Sequence, residues 1–126
     1  MPTQIEYDGE GIFYTRWTDP LTWEDIDGQI KYVQGYASEH GIDRLVVIID
    51  LSNCSRIPME VQNLRQRVTE DQHTIGYVVV KTNLLAKVAV RMLDRLTARE
   101  YRDAETPEEA IALARDMLRK HEQVKQ

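Results

Sequence analysis

The sequence predicts one α/β domain over residues 1–126, in which four helices cover a mixed, mainly parallel sheet of four to five strands. Short runs of aliphatic and β-branched residues alternate along the chain with longer segments whose apolar residues recur at helical spacing. The length of 126 residues and the 42% hydrophobic content suffice for one core. The predicted element order is β-β-α-β-α-β-α-β-α.

The first three elements are a hairpin and a helix. Gln4–Asp8 and Ile12–Trp17 are predicted strands, joined by a glycine-bearing loop at 9–11. After Asp19-Pro20, apolar residues three and four positions apart define one helical stripe: Trp23, Ile26, Ile30, Val33 and Ala37. Gly41 is the predicted left-handed residue that ends this helix.

The remaining elements alternate between strand and helix. Leu45–Ile49 and Tyr77–Val80 show no polar alternation and are predicted to be strands that are buried on both faces. Helices are predicted at 59–70, after Pro58, and at 84–96, and a short strand is predicted at 99–102. The last helix begins with a capping box at 106–109 and turns these residues inward: Ala110, Leu113, Ala114, Met117 and Leu118.

Composition disfavours several classes of function. The net charge of −5 disfavours nucleic-acid binding, which usually needs a basic face. A single cysteine excludes an internal disulfide, and three scattered histidines do not suggest a zinc site, so we expect neither metal nor cofactor. The N-terminal residues lack a basic region followed by an apolar stretch, and no apolar run reaches membrane-spanning length. We therefore expect no secretory leader and a cytoplasmic protein.

Two predicted loops follow the buried strands, at 50–57 and at 81–83. Parallel neighbours end at the same edge of a sheet, where ligands and partners commonly bind. Helix N-termini there, together with Arg56 and Lys81, would favour an anion or a partner carboxylate. The alternative is that the polar side chains only satisfy turns and caps. The predicted partner-binding residues are Ser52, Asn53, Ser55, Arg56, Pro58, Met59, Lys81, Thr82 and Asn83.

Catalytic chemistry has little support in the sequence. Cys54 lies near Arg56, but no histidine or lysine close in sequence could serve as its base. A buried structural cysteine is the favoured interpretation. A small enzyme that uses Cys54 or His73 is therefore disfavoured, and we expect a protein that is not an enzyme.

The apolar residues of the predicted helix at 84–96 cover more of its surface than the narrow stripe that would pack on the sheet. Either a neighbouring helix covers the additional apolar surface, or this surface forms a dimer contact or an apolar pocket. A pocket between this helix and the sheet would be lined by Leu85, Val88, Ala89 and Met92. A homodimer could also form through the first hairpin or through the basic residues that recur every four positions on the same helix, Lys87, Arg91 and Arg95.

Four segments of the chain share features with a known family: the strand at 46–52 that ends in Asp-Leu-Ser, the helix from Pro58, the strand at 76–80 and the closing segment at 106–110. They resemble the STAS-like (SpoIIAA-like) family, whose best-known members are bacterial anti-sigma factor antagonists. The resemblance implies a non-enzymatic domain that binds partner proteins in bacterial regulation. Many members are switched by phosphorylation of a serine at the start of the helix after the Asp-Leu-Ser strand.

This sequence departs from the family at the switch. Met59 stands at the position most like the phosphorylated serine, and methionine cannot accept a phosphoryl group. The chain therefore resembles a divergent member without the serine switch. The predicted function is protein interaction, and the alternative is a carrier of a small apolar or lipid-like ligand in the pocket beside the 84–96 helix.

Overall fold

The computed structural model describes residues 3–19, 21–54, 66, 73–81, 91 and 100–125. The described strands are β1 (Thr3–Tyr7), β2 (Ile12–Thr18), β3 (Leu45–Asn53), β4 (Thr74–Val80) and β5 (Glu100–Ala104), and the described helices are α1 (Trp23–Glu39) and α2 (Pro107–Lys125). Apart from Gln66 and Arg91, which are exposed and helical, the predicted helices at 59–70 and 84–96 lie outside the described residues.

The five strands form one mixed sheet in the order β1-β2-β3-β4-β5. β1 is antiparallel to β2, and every other neighbouring pair is parallel. The prediction that Leu45–Ile49 and Tyr77–Val80 are adjacent parallel strands is confirmed, since Val47 pairs with Tyr77. β2, β3, β4 and β5 therefore all end at one edge of the sheet, which we call the carboxyl edge.

The turn between β1 and β2 depends on one carboxylate and two glycines. Asp8 Oδ1 accepts hydrogen bonds from the backbone N–H of Glu10 at 2.7 Å and of Ile12 at 3.0 Å. Gly9 and Gly11 have φ of +86° and +93°, a region that favours glycine. The predicted hairpin is confirmed, but β1 ends at Tyr7 because Asp8 serves the turn.

Helices cover both faces of the sheet. The buried cluster under α2 consists of Ile12, Tyr14, Val46, Ile48, Val78, Val80, Ala104, Ala110, Ala114 and Met117. On the opposite face, the buried residues that pack with α1 are Phe13, Val33, Ala37, Leu45, Val47, Tyr77, Trp17, Leu21, Ile26, Leu51, Cys54 and Val79. These clusters confirm that β3 and β4 are covered on both faces, as their lack of polar alternation predicted.

A capping box begins α1, and a left-handed residue follows its end. Thr22 Oγ1 accepts the N–H of Asp25 at 3.3 Å, and the Asp25 carboxylate accepts the N–H of Thr22 at 2.8 Å. The helix ends at Glu39, and Gly41 has φ of +64°, as predicted. The acidic residues at the start of α1 therefore include one with a defined capping role.

The buried stripe of α1 agrees with the prediction and includes one polar residue that was not predicted. Ile26, Val33 and Ala37 are buried, and Trp23 and Ile30 pack partly buried against the core. Gln29 is also buried, where its Oε1 accepts a hydrogen bond from Trp17 Nε1 at 2.6 Å. The indole N–H and the amide oxygen satisfy each other, which makes burial of both tolerable.

The start of α2 differs in detail from the predicted capping box. Thr106 Oγ1 accepts the N–H of Glu109 at 3.2 Å, as expected. The Glu109 carboxylate, however, accepts the N–H of Glu105 at 3.4 Å rather than that of the cap residue. The predicted inward residues of α2 are confirmed as buried (Ala110, Ala114, Met117) or partly buried against the core (Leu113, Leu118).

Gly76 in β4 allows α2 to approach the sheet, and its replacement tests this packing. A Cβ at this position would overlap Met117 Cε and lie 2.9 Å from the Glu100 carbonyl oxygen, which is backbone of the adjacent strand. Repacking of side chains cannot relieve the second contact. We expect Gly76→Ala to lower the free energy of unfolding by about 1–3 kcal/mol, measured by urea denaturation.

The matched control is Gly28→Ala in α1. Nothing lies within 4 Å of a Cβ at Gly28. The control should therefore raise stability by roughly 0.5–1 kcal/mol through helix propensity. Equal effects of the two substitutions would contradict this account of Gly76.

Candidate functional site

The predicted partner-binding residues that the structure describes meet at the carboxyl edge. Ser52 and Asn53 end β3, Lys81 follows β4 directly, and all three are exposed. Because β3 and β4 are paired parallel neighbours, these strand ends lie side by side. Residues outside the described part are the remaining partner-binding positions Ser55, Arg56, Pro58, Met59, Thr82 and Asn83, and the predicted pocket positions Leu85, Val88, Ala89 and Met92.

The prediction of a loop from Asp50 onward was wrong for its first residues. β3 continues to Asn53 instead of ending at Ile49, and Asp50 pairs with Arg16 on one side and Val80 on the other. Asp50 is only 8% exposed. The strand continues through this carboxylate because its oxygens are satisfied inside the fold.

Asp50 is the centre of a buried hydrogen-bond network. Its Oδ2 accepts a 2.5 Å hydrogen bond from the Tyr14 hydroxyl, which comes from the neighbouring strand β2. Its Oδ1 accepts the backbone N–H of Ser52 at 2.9 Å and the Ser52 hydroxyl at 2.5 Å. Three donors on one carboxylate hold it ionised and fixed in position. The network thereby ties the end of β2 to the exposed end of β3.

The network shifts the pKa values of the Asp50 carboxyl and the Tyr14 hydroxyl in opposite directions. Burial of the Asp50 carboxylate by itself would raise its pKa, but the hydrogen bonds from Ser52 and Tyr14 outweigh burial and lower it below its ordinary value. Burial raises the pKa of the Tyr14 hydroxyl, and the hydrogen bond to Asp50 raises it further. Tyr14 is therefore a neutral donor and Asp50 an ionised acceptor.

A cation lies over the same tyrosine. The Arg16 guanidinium carbon is 4.6 Å from the centre of the Tyr14 ring, and Arg16 Nη1 is 2.9 Å from Glu6 Oε1. The ion pair is solvent-exposed, so its own contribution to stability is small, about 0–1 kcal/mol. Its effect is to place Arg16 above Tyr14.

Lys81 has an unusual backbone conformation for its residue type. Its φ is +57°, in the left-handed region that non-glycine residues adopt at a cost of about 1–2 kcal/mol. Its N–H donates to the Ala104 carbonyl at 3.0 Å, which extends the pairing of β4 with β5 by one residue. The presence of lysine at a position where glycine would be less strained motivates the hypothesis that the Lys81 side chain has a function.

The candidate catalytic residues do not form a reactive pair in the described part of the chain. Cys54 is buried, as predicted, with its thiol 3.5 Å from Asp19 Oδ1. His73 precedes β4, and its carbonyl oxygen accepts the N–H of Leu45. Among the residues that the structure describes, no group of histidine, cysteine and acidic side chains could hold a metal ion.

Sequence analysis missed the contribution of Tyr14. It placed Asp50 both in the loop at 50–57 and in the Asp-Leu-Ser strand motif, but it did not predict the hydrogen-bond network of this carboxylate. A usable signal was present in β2, where alternation places Ile12, Tyr14 and Arg16 on one face. Once β2 is paired with β3, that face brings Tyr14 near the polar end of β3. The partner of Asp50 thus depends on strand pairing, which short-range patterns do not reveal.

No family model matches the chain, and no curated protein matches it. Among solved structures, the chain is similar to an uncharacterised protein of the DUF3478 family from Shewanella loihica, which has a SpoIIAA-like fold. The TM-score is 0.65 at 16% identity, covering 89% of this chain and 91% of that chain. The chain therefore has a SpoIIAA-like fold, as the resemblance implied. None of the described helices is long and apolar enough to span a membrane.

The lowered pKa of Asp50 predicts how stability depends on pH. The stabilisation is present above the unfolded pKa of about 3.9 and is lost as pH falls through the lower folded pKa. Asp50→Asn should lower the free energy of unfolding by about 1–2 kcal/mol near neutral pH and flatten this acid dependence. Thermal unfolding at a series of acid pH values measures both effects.

Asp116→Asn is the control for this experiment. Asp116 also has a lowered pKa, through hydrogen bonds from Arg119 and Lys120, but it is on the surface. Added salt should therefore remove the acid dependence that Asp116 contributes and leave that of Asp50. An acid dependence that Asp50→Asn leaves intact would contradict the assigned network.

Proposed function

We propose that this chain is a non-catalytic protein-interaction domain in bacterial regulation that docks a partner at its carboxyl edge. The observation that carries the proposal is the juxtaposition of exposed Ser52 and Asn53 with exposed, backbone-strained Lys81 on the adjacent parallel strand. The described part of the proposed docking surface comprises these three residues. Ser55, Arg56, Pro58, Met59, Thr82 and Asn83 follow them in sequence, lie outside the described residues and enter the proposal as predicted positions.

Two features of the described edge support binding over catalysis. The Asp50 carboxylate already accepts three hydrogen bonds and is 8% exposed, so it is poorly placed to take a proton from a substrate. The Cys54 thiol is buried rather than presented at the surface. The polar groups of the edge thus position one another, and the exposed ones are suited to hydrogen bonding with a partner.

The chemistry of the edge also suggests what the partner presents. Lys81 offers an ammonium group, and Ser52 and Asn53 offer short polar side chains beside it. A partner carboxylate would bind Lys81, with Arg56 as a second cation on the adjoining segment. Regulation by phosphorylation at the family's switch position is not part of the proposal, because Met59 has no hydroxyl group.

The alternative function, a carrier with an apolar pocket beside the 84–96 helix, concerns residues outside the described part. Its test is native mass spectrometry of the freshly purified chain, where a co-purified lipid-like mass would support it. The docking proposal is tested separately, by substitutions of Lys81 whose effects on stability and on partner binding are measured.

The conformation of Lys81 yields the first prediction for this function. Lys81→Gly removes the charge and the left-handed strain, whereas Lys81→Ala removes the charge and keeps the strain. We expect Lys81→Gly to be more stable than Lys81→Ala by about 1 kcal/mol in urea denaturation, while both lose partner binding. Equal stability of the two variants would contradict the strain argument, and retained binding would contradict the role of the side chain.

The second prediction identifies the docking surface by differential capture. Immobilised wild-type chain, Lys81→Glu and Lys120→Glu are incubated with lysate of the native host, and captured proteins are quantified by mass spectrometry. Lys120 lies near the end of α2, which begins at the carboxyl edge, so the control reverses the same charge far from the proposed surface. A specific partner should be lost with Lys81→Glu and kept with Lys120→Glu. Proteins captured equally by all three forms would contradict docking at this edge.

A further inference from the structure

A cleft lies between β1–β2 and α2, and none of its lining residues belongs to the proposed docking surface. Its volume is about 230 Å³. Typical sites for drug-sized ligands measure roughly 300–1,000 Å³, so an occupant of this cleft would be smaller than such a ligand. Ile12 and Tyr14 of β2 line it from the sheet, and Pro107 and Ile111 line it from α2.

The apolar lining of the cleft is held rigidly by the core. Ile12 and Tyr14 belong to the buried cluster under α2, and Ile111 packs against that cluster. The Tyr14 hydroxyl is held by Asp50, so the ring cannot easily turn away. A preformed apolar surface of this kind binds a small hydrocarbon or aromatic group without a large ordering cost.

Three of the charged side chains that line the cleft are already engaged. Glu6 and Arg16 form an ion pair with each other. Asp8 Oδ1 holds two backbone N–H groups of the hairpin turn. Arg115 also lines the cleft, and it forms no ion pair or hydrogen bond with any residue in the described part of the chain. Of the charged groups that line the cleft, the one that remains available is therefore a guanidinium, whose planar donors match a carboxylate.

We infer that this cleft binds a small monocarboxylate with an aromatic or branched apolar body. Arg115 binds the carboxylate of this ligand, and the apolar body of the ligand lies against Tyr14, Ile12 and Ile111. The site is distinct from the proposed docking edge and does not depend on it. Phenylacetate has the required chemistry and serves as the probe.

The experiment is an NMR titration of the isotope-labelled full chain with phenylacetate, with phenylacetamide as the uncharged probe of equal shape. We expect saturable shifts in the millimolar range that centre on the amides of Ile12, Tyr14 and Ile111. Phenylacetamide should bind at least about tenfold more weakly, because it cannot form the charge-assisted contact with Arg115. Arg115→Gln should weaken phenylacetate binding by a similar factor.

Arg119→Gln is the matched control. Arg115 also borders a second cleft of about 510 Å³, which Arg119 lines and which lies outside the site proposed here. Arg119 does not line the smaller cleft and pairs with Asp116 at 2.9 Å. Arg119→Gln should therefore leave phenylacetate affinity unchanged. The proposal is overturned if no saturable shifts occur, if they centre on the second cleft, or if the Arg115 and Arg119 substitutions act equally.

Discussion

The burial of the central strands on both faces is the constraint on which the rest of this structure depends. Val46, Val47 and Ile48 are consecutive residues of β3 and are at most 1% exposed, so neither face of the strand contacts solvent. Their backbone groups must then be paired within the sheet, which β2 and β4 achieve on either side. Two helices on opposite faces, α1 and α2, supply the apolar surface that the side chains require. Because β2, β3, β4 and β5 are parallel in this arrangement, their carboxyl ends lie at one edge of the sheet.

The transition from core to surface takes place at Asp50, and its chemistry determines how the carboxyl edge is presented. An unpaired carboxylate at such low exposure would cost several kcal/mol, roughly enough to offset much of a domain's stability. Tyr14 from β2 and Ser52 from β3 itself supply the compensating hydrogen bonds. The same bonds that make burial of Asp50 tolerable fix the direction in which β3 leaves the core. Ser52 and Asn53 are thus presented by a rigid strand end rather than by an unconstrained loop.

The apolar pattern allowed most of the described fold to be predicted, because burial acts through residues near one another in sequence. It placed the hairpin, the strands β3 and β4, the stripe of α1 and the inward residues of α2. It failed at Asp50, because acidic and short polar residues usually end strands and the compensating tyrosine lies 36 positions away. The prediction that the chain segments after the two buried strands lie side by side was nevertheless correct, since parallel pairing of β3 with β4 brings their ends together. The left-handed conformation of Lys81 had no signal in its sequence, because glycine is the residue that such a position predicts.

Tyr14 lines the proposed cleft and is linked to the proposed docking edge only through Asp50, and this geometry argues that the two sites act independently. The ring lines the cleft beside α2, whereas the hydroxyl points to Asp50 and so to the carboxyl edge. A ligand couples two sites only when it binds two states of the protein with different affinity. A ligand that contacts the Tyr14 ring does not change the hydrogen bond of the Tyr14 hydroxyl. Three donors from two paired strands hold Asp50 in one position. An occupied cleft would therefore leave Ser52 and the docking surface as they are. The fold thus separates the proposed small-molecule cleft on its α2 face from the proposed docking surface at its strand ends.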